Sequence, residues 1–332
     1  MIEKVEIFSI ELPTGGNVTI PRWRFHSNNT HPTEPLKRLS IVAGIRGDAP
    51  EGIRIAYQLL HSLMELEHDI QGVVDLYPCV NPLAAEQGQR YWPFFDIDLN
   101  RIFPGKRGGH PPHQLAYYLI QDILKKSQKD REEEQIVLEI RGARPSFQIL
   151  PQVLVRSGDT KSLEIAKHAN VKMLWQRKPG PAASSTFAYQ FPHSIVLEGG
   201  CGNRLITEVG NALHDGVLNI MSHIGILPEE KLPFPWMTIE TPLITTDEDL
   251  FRIRVESSGL FLPSIQINQN IEENQLIGKV IDPSTGFVVE EVRSPISGVI
   301  YALREQPVVS IGIMVARVLR TNEPATANCF LS

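Results

Sequence analysis

Six residues stand out by type and place. Arg46 lies in GIRGDAPEG (44–52), directly after an apolar run of Leu39, Ile41, Val42 and Ala43. Arg141 closes the phrase LEIRG two residues after Glu139, and Glu198 stands in VLEGG, again where an apolar run gives way to glycine. Arg90, Asn100 and Arg101 fall in a loop-rich stretch, 83–110, that ends DLNRIFPGKRGG. A guanidinium group is a planar, permanently charged fork of donors that matches a carboxylate bidentately, and asparagine adds a neutral donor. If the fold brings them into one pocket, four arginines against Glu139 and Glu198 keep a positive field, which suits a carboxylate, a phosphate or an acidic peptide tail unless pairing within the pocket cancels it.

These residues need strand ends to bring them together. Residues 5–11 and 18–25 read as two strands across the TGGN turn. A buried strand over 38–45 leads through the glycine-flanked turn into a helix over 50–66, with apolar positions at Ile53, Ile55, Leu59, Leu60 and Leu63. Strands follow at 72–78, 136–142, 151–156, 171–175 and 194–200, with helices at 113–127, 159–169 and 202–225. This alternation predicts an α/β mixed sheet with helices on both faces, its chemistry at the carboxyl ends of the strands. From 247 to 320 the chain is rich in Val, Ile, Gly and Pro with turns at NQN, DPSTG and SPISG, so a small all-β domain is expected. The expected division is 1–235 and 236–332.

Bulk properties narrow the function. The 332 residues, 42% hydrophobic and 21% charged, suffice for a substantial core and exclude a disordered chain. A formal charge of −6 with no basic stripe argues against nucleic acid as the main partner. No apolar run reaches the length of a membrane span, and the amino terminus lacks the pattern of a signal peptide. Cys79, Cys201 and Cys329 are too scattered for a disulfide framework or a zinc motif, so a cytoplasmic setting is expected. Cys201 reads as a packed thiol, His110 and His113 as surface residues, and Tyr91, Trp92, Phe94 and Phe95 as loop packing. The run REEE (131–134) reads as a solvated face.

The turn GIRGDAPEG resembles HGxExxG of the succinylglutamate desuccinylase/aspartoacylase family, zinc amidohydrolases related to the carboxypeptidases. Asn81-Pro82, Arg90, DLNR and FPG follow in the family's order, then LEIRG in place of a DLH motif and VLEGG at the general-base position. The resemblance implies a carboxypeptidase-like fold. The phrases SSGLFLPS, IGKVIDPSTG and VRSPISGVI are similar to the family's C-terminal β-domain, a barrel-sandwich akin to lipoyl carrier modules. The turn PSTG stands where those modules carry their lysine, so no covalent cofactor is expected. By the same resemblance Arg90 faces the scissile carbonyl, Asn100 and Arg101 hold a substrate carboxylate, and Glu198 is the general base.

The departures matter as much. The three zinc-ligand positions carry Arg46, Ala49 and Arg141. Guanidinium has no free lone pair and alanine has no donor, whereas a catalytic zinc takes three protein ligands and leaves a place for water. The expected cofactor is therefore none. Glu198, with no zinc-bound water to act on, is expected to neutralise Arg46 or Arg141. The leading expectation is a metal-free, catalytically degenerate relative that binds a small carboxylate ligand or peptide, or serves as a non-catalytic subunit of an active homologue or a homo-oligomer. The alternative is an amidohydrolase acting on an N-acyl amino acid or related amide, with Glu198 as base and the arginines clamping an oxyanion. A third reading is a scaffold whose old pocket is filled by Arg–Glu pairs.

Overall fold

The computed structural model describes residues 1–26, 35–127, 132–232 and 242–321. Strands β1 (Ile2–Glu11) and β2 (Asn17–His26) form an antiparallel hairpin. Strand β3 (Leu36–Ala43) leads into helix α1 (Pro50–Glu65), then β4 (Val73–Tyr77) and the short helix α2 (Pro82–Glu86). Helix α3 (Pro111–Leu124) precedes β5 (Glu133–Gly142), β6 (Phe147–Arg156), helix α4 (Thr160–Ala166) and β7 (Met173–Arg177). Strand β8 (Ser194–Cys201) and helix α5 (Thr207–His223) complete the α/β part.

Helix α1 starts where its sequence says it should. Pro50 sits at the first helical position, where its missing N–H costs nothing, and Glu51 meets the positive end of the helix in the first turn. Ile55, Ala56, Leu59 and Leu63 then recur at helical spacing and are fully buried.

The central order is β1-β2-β4-β3-β5-β8-β6, with β4, β3, β5 and β8 parallel and β6 antiparallel to β8. One face packs α1 and α5 against Leu39, Ile41, Leu76, Leu138 and Leu197. The other packs Leu115, Leu119 and Ile123 of α3 against Val42, Tyr77 and Val137, with Trp92, Leu99 and Phe103 of the long loop. The expected mixed sheet with helices on both faces is therefore present.

The carboxyl-terminal region is all-β: β9 (Leu243–Thr246), β10 (Leu250–Arg254), β11 (Gly259–Pro263), β12 (Asn270–Ile271), β13 (Leu276–Ile281), β14 (Val288–Arg293), β15 (Gly298–Arg304), β16 (Val308–Val309) and β17 (Met314–Arg320). Strands β14, β13, β11 and β16 make a separate four-stranded antiparallel sheet. Strands β15, β17 and β10 instead extend the main sheet, because β15 pairs with β6. The expected boundary at 235 lies outside the described residues. Among the described residues, no helix is long and apolar enough to cross a membrane.

The stretch 83–110 is loop-rich as expected, after the short α2 at its start, which Asn81 caps by accepting from the Ala84 N–H. Two local expectations are corrected. Helix α5 begins at Thr207, not at 202, because Cys201 and Arg204 form an isolated antiparallel bridge that turns the chain first. Glu133, in the run expected to be a solvated face, is almost buried and pairs with Arg38 at 3.2 Å. Arg131 of that run lies outside the described residues, as does Cys329.

Candidate functional site

Two glycines set the approach of the segments that bear the site. A Cβ on Gly47 would overlap the backbone of Ala84 and Ala85, and one on Gly52 would press on the backbone of Ile140 and Arg141. The turn after β3 is thus held against α2 on one side and the end of β5 on the other. Ala49 is buried beside it, at the amino-terminal cap of α1.

The six residues singled out from the sequence line one cavity of about 520 Å³. Arg46 is buried and donates to Asp48, Nε to Oδ1 at 3.1 Å and Nη2 to Oδ2 at 3.2 Å. Arg141 bridges two acids, donating from Nη1 to Glu139 Oε1 at 3.3 Å and from Nη2 to Glu198 Oε2 at 3.2 Å. Arg90 donates to Asp98 Oδ2 from Nε at 2.8 Å and from Nη2 at 2.6 Å. Asp98 also accepts from the Asn100 N–H at 3.0 Å, and Asn100 Oδ1 accepts from the Phe187 N–H at 2.8 Å. Arg101 has no carboxylate partner among the described residues: its Nη1 donates to the Asn100 carbonyl at 2.6 Å. The partner of Asp98 is therefore Arg90, and Arg101 remains exposed in the cavity.

Electrostatics divide the two buried glutamates. Burial pushes the Glu139 carboxyl up, and repulsion from Glu198 adds to that against the pull of Arg141. Burial also works to raise Glu198, but Arg141, Arg46 and Arg144 outweigh it and hold the group below the usual carboxylate range. Arg141 is part-buried, which works against its charge, yet Glu198 and Glu139 raise its pKa. Glu198 is thus a carboxylate at neutral pH, fixed by the guanidinium next to it.

Several residues in and beside the cavity escaped the sequence reading. The same cavity is lined by ten arginines and two glutamates. Arg144, just after β5, is pushed down to about 10 by burial and by Arg46, Arg317 and Arg90, with Glu198 opposing. Arg156, Arg177, Arg252, Arg254 and Arg317 come from β6, β7, β10 and β17. The available signal was the alternation of LFRIRV, which puts Arg252 and Arg254 on the face opposite Ile253. Glu51 was also missed; it is fully buried, accepts from the Ile206 N–H at 2.7 Å and from Arg54 at 3.1 Å, and ties α1 to the start of α5.

Residues 35–224 match the model of the succinylglutamate desuccinylase/aspartoacylase catalytic domain. The chain belongs to this family. It is 25% identical over 294 residues to the N-alpha-acetyl-L-2,4-diaminobutyric acid deacetylase of Halomonas elongata, spanning 85% of this chain and 82% of that one. Its fold is similar to that of the product-bound ectoine utilization protein EutE (DoeB) of Ruegeria pomeroyi, with a TM-score of 0.77 at 19% identity over 96% and 95% of the two chains. It is similar also to a succinylglutamate desuccinylase/aspartoacylase of Rhodobacter sphaeroides, with a TM-score of 0.75 at 21% identity over 93% and 92%.

The resemblance in sequence puts Arg46, Ala49 and Arg141 at the family's zinc-ligand positions. Both guanidinium groups are already engaged by carboxylates, and Ala49 brings a methyl group. This donor set does not fit a zinc ion, which needs lone pairs from imidazole, thiolate or carboxylate. Cys201, buried and with its thiol raised by burial, supplies no nucleophile. His110 is exposed with its ring tilted against that of Phe95, while Trp92 packs in the core and Phe94 is exposed.

Proposed function

We propose that this protein binds an N-acyl amino acid, or a related amide with a free carboxylate, through Arg101. The observation that carries this reading is that Arg101 alone of the six has a charge open to a ligand. Arg46, Arg90 and Arg141 are each engaged by an acid, whereas Arg101 has no carboxylate partner among the described residues and is exposed in the cavity. A bidentate carboxylate there would be matched in charge and geometry.

Two lines of support diverge on the fate of the bound ligand. The relatives favour amide hydrolysis: the Halomonas elongata protein is named a deacetylase, and the matching family domain is named for a desuccinylase and an aspartoacylase. The donor set at Arg46, Ala49 and Arg141 favours a metal-free site that holds its ligand without cleaving it. Binding of the carboxylate is common to both, and we put it first.

The hydrolytic reading assigns Glu198 the role of base. Arg141 keeps it ionised, so it can take a proton from water, and neighbouring guanidinium groups can stabilise the oxyanion on the attacked carbonyl. The barrier to water attack on an amide makes heavy demands on such a device. The binding reading instead leaves the protein as a ligand-holding chain, alone, self-associated or beside an active homologue.

Calorimetry with N-succinylglutamate, Nα-acetyl-2,4-diaminobutyrate and an N-acetylated acidic amino acid tests the shared part. At least one is expected to bind, and Arg101→Ala to weaken it by roughly ten- to a hundredfold, as for a lost hydrogen bond to a charged group. If none binds at millimolar concentration, the reading fails. Mass spectrometry of the same mixtures then separates the branches: a released acyl acid selects hydrolysis, and unchanged ligand selects binding.

A further inference from the structure

The main sheet forks at β6. Its residues 147–149 pair with β15, and its residues 152–156 pair with β7. Each branch then brings two arginines into direct register. Arg156 of β6 is the partner of Arg177 of β7, and Arg252 of β10 is the partner of Arg317 of β17. All four, with Arg254, line the same cavity as Arg101 and Glu198. Like charges directly opposite on neighbouring strands are destabilising, and here two such pairs share one space.

None of the five makes a salt bridge among the described residues. Arg156 donates from Nη2 to the Phe191 carbonyl at 3.1 Å and stacks over Tyr189, while its Nε is buried without a partner. Arg254 donates to the Gly312 carbonyl at 2.6 Å, and Arg317 reaches only the Met314 sulfur at 3.3 Å and the Tyr301 side chain. Arg177 lies over the Trp175 ring. Of the acids in the turn before β10, Asp247 accepts from the Lys178 backbone N–H, Glu248 pairs with Lys178 Nζ, and Asp249 accepts from the Thr246 N–H and hydroxyl.

We propose that the fork between the β7 and β10–β17 branches is a second anion subsite, which takes a phosphoryl group. Five guanidinium groups with free donor capacity suit a group that carries close to two negative charges and three acceptor oxygens. A single carboxylate leaves most of that charge unmatched. The subsite is independent of the carboxylate site at Arg101 and stands whether or not an N-acyl amino acid binds there.

The test is calorimetry of the full chain with pyrophosphate as probe, and with citrate in parallel. Pyrophosphate is expected to bind and to raise the melting temperature. The double variant Arg252→Gln/Arg317→Gln is expected to weaken that binding at least tenfold, while Arg101→Ala leaves it within about twofold. Without ligand, the double variant is expected to melt no lower than the parent, because it removes a repulsive pair; lower melting would assign the arginines a structural role and overturn the proposal. Absence of pyrophosphate binding, a loss caused by Arg101→Ala and not by the double variant, or binding of citrate alone would each overturn it as well.

Discussion

Arg141 and Glu198 are register partners on neighbouring parallel strands, β5 and β8, and their side chains meet at 3.2 Å inside the cavity. The resemblance to the family puts them at a zinc-ligand position and at the general-base position. Here they form an ion pair, so Arg141 fixes the charge of Glu198. The pair also explains how two glutamates tolerate burial side by side: Arg141 reaches both.

Arg141→Ala is expected to lower unfolding stability by about 3–5 kcal/mol, since it leaves Glu139 and Glu198 buried without their shared cation. Denaturant titration measures it. Adding Glu198→Gln to that variant should recover part of the loss, because the remaining uncompensated charge is then smaller. A loss within about 0.5 kcal/mol, the range of ordinary surface changes, would mean that the bridge contributes little.

Asp75 gives the clearest pH dependence. It is fully buried between Arg24, at 2.6 Å, and Arg38. Burial works to raise its carboxyl, but these arginines prevail and hold it below the usual range. The folded value lies below the unfolded value of about 3.9, so its stabilisation is complete above that pH and is lost as pH falls through the folded value. Asp75→Asn is expected to cost about 3–5 kcal/mol at pH 7, with the gap from the parent shrinking in acid. An equal gap at pH 7 and pH 2 would refute the assignment.

Gly47→Ala is expected to disrupt the turn that carries Arg46, because the added methyl meets backbone of Ala84 and Ala85 that has no rotamer to yield. A fall in melting temperature, with loss of carboxylate binding, is the anticipated result. Gly108→Ala, where the Cβ meets nothing within 4 Å, serves as the tolerant control. Equal melting of the two variants would show that the close approach is not needed.

Elemental analysis of chelator-free protein should find well below one zinc per chain, and added zinc should leave the melting temperature unchanged. A ligand that bound the native state would raise it by mass action. The combined variant Arg46→His, Ala49→Glu and Arg141→His should reverse both results by restoring donors with lone pairs. Stoichiometric, stabilising zinc in the unaltered chain would overturn the metal-free reading.

Much of the near end of the site was legible in one dimension. Apolar runs that end in glycine mark the carboxyl ends of β3, β5 and β8, and such ends converge in a parallel sheet, so Arg46, Arg141 and Glu198 could be placed together. Pairing could not be read. Asp98 serves Arg90 and not Arg101, and Glu133 left the solvated run to meet Arg38, because side-chain reach across 8 and 95 residues of sequence depends on backbone positions that no local pattern encodes.

The far end of the cavity was barely legible. The alternation of LFRIRV sets Arg252 and Arg254 on one face, but Arg156, Arg177, Arg252 and Arg317 are scattered over more than 160 residues and share no motif. The sequence by itself determined the family frame and the strand and helix order of the α/β part, because those depend on residue type and local spacing. Only the tertiary structure decided that β6 shares one edge between two branches, and that this sharing sets four arginines from four strands around one space. Strand register is fixed by long-range hydrogen bonding, and the charge of a cavity is the sum over whatever that register brings together.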